Sequence, residues 1–117
     1  MNEITPETKM KIGDAVRMVE NELASAMCKH PPINSLHEAY AVILEEVDEF
    51  WQEVKKRSSD RSRHAISLEL RQIAAMAIRA SIDLDLIIAR GSALPLNPQQ
   101  QTSAGRPGGA PPGQQYA

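Results

Sequence analysis

Between residues 36 and 56 the chain reads LHEAYAVILEEVDEFWQEVKK, and its apolar residues recur at the period of an α-helix. At 100° per residue, Leu36, Tyr40, Ile43, Val47, Phe50 and Val54 fall on one stripe. Glu46, Glu49 and Glu53 lie along one border of that stripe, with Glu38 and Glu45 a little farther round. Glu46 is nearest the apolar centre, within about 60° of it. A carboxylate so close to a core seam is costly to bury unless something positive meets it, and a hard cation is one candidate.

The segments on either side also read as helix. Thr5, Pro6 and Glu7 have the order of an N-cap, a proline at the first helical position and a first-turn acid. Met10, Ile12, Val16, Val19, Leu23, Ala26 and Met27 follow at helical spacings, and Pro31-Pro32 should stop this helix near Lys29 and His30. Ser35 and Glu38 can form a capping box for the central helix, which should finish in Lys55, Lys56 and Arg57. After a polar connection at 58–63, a third helix is expected over 64–89, with Gly91 as its terminator. Its segment IAAMAI (73–78) has no polar side, so this helix should be covered nearly all round. Glu69, Gln72, Arg79 and Asp83 nevertheless share one narrow strip of it, and aligned polar groups there need partners or a wet cavity.

An all-α bundle of three helices follows, occupying residues 1–91. The stretch 92–117 is Pro, Gly, Gln, Ser and Ala with Arg106 its only charge; it is expected to be disordered, having too little apolar surface to offset its ordering entropy. An over-apolar third helix in so small a unit points to homo-oligomerisation, as dimer or tetramer. A net charge of −2 argues against a polybasic nucleic-acid or membrane binder, and the few aromatic residues argue against a single-strand platform. Cys28 is the lone cysteine, and neither a basic apolar leader nor a membrane-length apolar run is visible. The expected home is the cytoplasm of a bacterial or phage-infected cell.

The chemistry is expected where the two acidic segments meet. Glu46 and Glu49 are one turn apart, so both can reach the same point, and Glu69 on an antiparallel third helix can face them. Three converging carboxylates repel one another unless a cation is present. Oxygen-only ligation favours Mg²⁺ or Mn²⁺, and Mg²⁺ commonly shares its shell with water and substrate phosphates. Lys55, Lys56, Arg57, Arg61, Arg63 and Arg79 are cations available to the remaining phosphate charge. The bland alternative is that these glutamates form a solvated face and that Trp51 serves packing instead of base stacking.

The element Glu45-Glu46-Val47-Asp48-Glu49, followed after nineteen residues by Glu69-Leu70-Arg71-Gln72, resembles the E-E-x-x-E and E-x-x-D pair of MazG-like, all-α nucleoside triphosphate pyrophosphohydrolases. The likeness covers 35–84 and is nearest to short phage-borne members. It implies Mg²⁺-dependent hydrolysis of a nucleoside triphosphate to monophosphate and pyrophosphate, with a purine deoxynucleotide such as dGTP or dATP expected. By position, Glu46, Glu49 and Glu69 would be metal ligands, joined by Gln72 where the family has Asp. Glu45 would be a supporting carboxylate, and Glu45 or Glu49 the base. Lys55, Arg61, Arg63, Arg79, Trp51 and Asp83 are the candidate substrate contacts. Gln72 offers a neutral oxygen and no base, which keeps open a non-catalytic nucleotide- or protein-binding oligomer.

Overall fold

The computed structural model describes residues 2–88. Among these it contains α1 (Pro6–Lys29), α2 (Leu36–Val54), a 3₁₀ turn (Ser58–Asp60) and α3 (Arg63–Asp83), with no strand. Each α-helix starts at a hydroxyl that accepts a backbone N–H three residues on. Thr5 accepts from Thr8 at 3.1 Å, Ser35 from Glu38 at 3.0 Å and Ser62 from Ala65 at 3.1 Å. Such a cap is worth about 1 kcal/mol. The reciprocal half of the box at Ser35 is offset by one residue: Glu38 Oε1 accepts from the Asn34 N–H at 2.7 Å.

The helix ends follow the same accounting of backbone groups. α1 stops where expected, with the His30 N–H closing on Ala26 O at 3.0 Å before the two prolines. α2 ends at Val54, so Lys55, Lys56 and Arg57 lie just beyond it, not within its last turn. The orphan Val54 carbonyl accepts from Arg61 Nε at 3.1 Å. α3 ends at Asp83, six residues short of the expected Ala89. Asp85 takes the left-handed conformation (φ 57°), the Leu86 N–H bonds to Ser81 O at 2.7 Å, and the Asp85 N–H bonds to Ile82 O at 3.1 Å. These two bonds make a Schellman motif, with an aspartate where glycine is usual. Gly91, the boundary drawn there and the tail at 92–117 lie outside the described residues.

α3 packs against both other helices, whereas α1 and α2 meet each other little. α2 is antiparallel to α3: Leu36 packs at the Ala80–Leu84 end, and Val54 meets Arg61 before the start of α3. α1 runs parallel to α3, with Ala26 and His30 near Arg79 and Ala15, Met18 and Val19 near Ile66 and Leu70. The core sits at one end, where Ile33, Ala39, Ala80 and Leu84 are buried and Leu36, Ile43 and Leu86 pack against them. Toward the start of α3 an open groove of about 480 Å³ is lined by residues of α1 and α3. No described helix is long and apolar enough to cross a membrane.

The inward face of α2 differs from the expected stripe. Tyr40 is 67% and Val47 39% exposed, while Ala39, Ile43, Glu46 and Phe50 turn inward. Ala39 shares the buried core with Ile33, Ala80 and Leu84, and with Ala39 turned inward Glu46, seven residues on, faces the same side of α2. Nor is α3 covered all round by its own chain: Ile78 and Ile82 are each 42% exposed.

Candidate functional site

Because α2 and α3 are antiparallel, Glu46 and Glu49, one turn apart, confront Glu69 and Gln72, also one turn apart. One carboxylate oxygen from each of Glu46, Glu49 and Glu69 lies within 4.8 Å of the other two. Opposite oxygens of an octahedral Mg²⁺ shell are separated by about 4.2 Å, so modest side-chain shifts would bring all three into one shell. Three carboxylate oxygens at this spacing could hold a metal ion.

Among the described residues no lysine or arginine pairs with these three carboxylates. The ion pairs lie elsewhere, as Lys56–Glu53 at 2.9 Å, Arg79–Asp83 at 3.0 Å and an exposed Arg17–Asp14 pair. The Glu46 carboxyl is accordingly pushed up from 4.5 to about 7, first by burial, then by the charge of Glu49 and a hydrogen bond with it, then by Glu69 and Glu45. Glu69 is raised as well, by burial, by the Glu49 charge and hydrogen bond, and by Glu53. A cluster that raises the affinity of its members for a proton is one in which a second positive charge relieves the same repulsion.

Gln72 occupies the gap between the helices. With its amide nitrogen facing the carboxylates, it donates to Glu46 Oε1 at 3.1 Å and to Glu69 Oε1 at 3.2 Å. The opposite orientation sets its carbonyl oxygen against the same two acceptors.

Comparison of the chain with known protein families, characterised proteins and solved structures finds no match.

The remaining candidates divide by place. Glu45 is exposed beside the cluster, near enough for its charge to act on Glu46. Lys55, Arg61 and Arg63 are exposed around the α2–α3 connection, and Arg61 spends donors on Val54 O. Trp51, 55% exposed, lies about 160° round α2 from Glu49, on the side away from the cluster.

Arg79 and Asp83, two of the expected substrate contacts, are engaged at the α1–α2 junction. Arg79 is 4% exposed and its donors are committed to Ala26 O at 3.0 Å, His30 O at 2.8 Å, Pro31 O at 2.9 Å and Asp83 Oδ2 at 3.0 Å. Asp83 Oδ2 also accepts the Ile33 N–H at 2.8 Å. Together they tie the end of α1 and the approach to α2 onto α3, about 15 Å (Arg79) and about 21 Å (Asp83) along the helix from Glu69. Their i, i+4 spacing is a sequence signal for such a pair. The polar strip on α3 therefore does two jobs: Glu69 and Gln72 face α2, and Arg79 and Asp83 satisfy backbone groups of the α1–α2 junction.

Proposed function

We propose that the chain is a Mg²⁺- or Mn²⁺-dependent nucleoside triphosphate pyrophosphohydrolase of the MazG-like kind, releasing monophosphate and pyrophosphate. The observation that carries this reading is the convergence of Glu46, Glu49 and Glu69 from two helices, with no lysine or arginine among the described residues paired to them. In this reading Glu46, Glu49 and Glu69 would hold the cation, and the chemistry it would supply is charge stabilisation on the phosphates and a more acidic water. Glu45, exposed and next to the cluster, or Glu49 receives the proton of that water. Lys55 and Arg63, both exposed, remain available to phosphate oxygens at the α2–α3 end. A purine deoxynucleotide, dGTP or dATP, is the expected substrate.

The test is incubation of the purified chain with each common NTP and dNTP, with Mg²⁺, Mn²⁺ or chelator, and identification of products. Monophosphate with pyrophosphate, lost in chelator, supports the reading. Absence of any product with both cations transfers the assignment to a nucleotide- or protein-binding oligomer, which the neutral Gln72 beside the carboxylates favours. Glu46→Gln and Glu49→Gln should each lower turnover at least about 100-fold while the helices persist by circular dichroism.

The active form is proposed to be a homodimer or homotetramer. Tyr40, Leu44, Val47 and Trp51, spaced four, three and four residues, leave an apolar seam on the outer side of α2, and α1 buries none of its residues completely.

A further inference from the structure

The neutral amide of Gln72 lies between Glu46 on α2 and Glu69 on α3. The amide of Gln72 carries two N–H donors, and in the orientation that faces the carboxylates these reach Glu46 Oε1 at 3.1 Å and Glu69 Oε1 at 3.2 Å. One donor per carboxylate completes the bridge with no cation present. The terminal torsion of a glutamine is broad and two-fold, so a half-turn exchanges nitrogen for oxygen without moving either helix. That half-turn points a carbonyl oxygen at two carboxylates, which is repulsive until a positive ion lies among them.

We propose that Gln72 is a cation-responsive latch: its NH2 clasps Glu46 to Glu69 in the cation-free protein, and its carbonyl oxygen turns toward a divalent cation when one binds. The inference rests on the reading that this cluster takes such a cation, and it adds what the neutral residue does there. An acid at this position would add a fourth negative charge to the cation-free cluster. Glutamine instead holds the two helices in register before the cation arrives. The bridge must be broken on loading, so cation affinity is lower than an acid at position 72 would give.

The experiment uses the full chain, ¹⁵N-labelled, with the Gln72 side-chain NH2 signal assigned by its loss in Gln72→Met. In chelator that signal should be shifted from the other glutamines and slow to exchange with water. On saturation with Mg²⁺ it should move and lose protection while the other glutamine side chains stay in place. Melting with and without Mg²⁺ gives a second readout. Gln72→Met, which loses the bridge, should melt lower than the parent in chelator. Gln72→Glu should bind Mn²⁺, followed by its electron paramagnetic resonance, about tenfold more tightly. If Mn²⁺ binds the parent and not Glu46→Gln, yet the Gln72 NH2 is unmoved by cation, the latch is overturned and the metal reading stands. If neither protein binds Mn²⁺, the metal reading itself falls, and the latch with it.

Discussion

Glu46 is an acid held at neutral pH by its surroundings. Its ordinary value near 4.5 applies to the unfolded chain, and folding raises it to about 7 by burial and by the charges of Glu49, Glu69 and Glu45. Between those values the folded chain binds more protons than the unfolded one, so the stability associated with Glu46 is complete below 4.5 and is lost as pH rises through 7. In chelator the melting temperature should therefore fall as the pH is taken from about 5 to 8, and Glu46→Gln should flatten that dependence. The proposed cation would reverse the direction: its binding would displace the proton, so Mg²⁺ affinity should rise through the same window in a calorimetric titration. Asp85 offers a separate test. A non-glycine residue in the left-handed region costs about 1 kcal/mol, so Asp85→Gly should raise stability by that order in urea denaturation. The sequence makes the three glutamates legible because their spacing is a property of single helices. The early end of α3 at Asp83 is hidden, because a Schellman turn closed by aspartate lacks the glycine that Gly91 displays.

At the scale of elements, the orientation of α2 decides what faces what. Periodicity supplies the helix and places the carboxylates beside an apolar stripe, but the stripe is wide, and periodicity leaves its centre undetermined. Burial of Ala39 in the core with Ile33, Ala80 and Leu84 marks that centre, with Tyr40 and Val47 outward and Glu46 inward. The Arg79–Asp83 pair does for α1 what this burial does for α2. Its acceptors are mostly main-chain carbonyls 48 to 53 residues away, which leave no trace in residue type, whereas the i, i+4 pair itself is visible. Removing the guanidinium strands a buried carboxylate and several carbonyls, so Arg79→Ala should cost about 3–5 kcal/mol in urea denaturation. Loss of activity in that variant should track the unfolded fraction, since Arg79 lies away from Glu46 and Glu69.

At the scale of the whole molecule, three helices bury a small core at one end and leave apolar side chains bare at the other and on the outer side of α2. Tyr40→Glu or Trp51→Glu places a charge in that outer seam without touching Glu46, Glu49 or Glu69. Each should reduce the proposed oligomer toward monomer by light scattering while the circular dichroism spectrum is kept. All-α architecture and helix order are legible from composition and capping residues; the mutual rotation of the helices is a property of packed pairs and is not. The α1–α2 junction reverses an ordinary expectation about connections. By sequence it is a short proline-rich loop, the kind of segment that opens first. Yet the Ile33 N–H is bonded to Asp83, Ile33 itself is 5% exposed, and the carbonyls of His30 and Pro31 are held by Arg79. In hydrogen–deuterium exchange the Ile33 amide should thus outlast the amides of the first half of α1, making a loop the late-opening clasp and a helix the early-fraying arm.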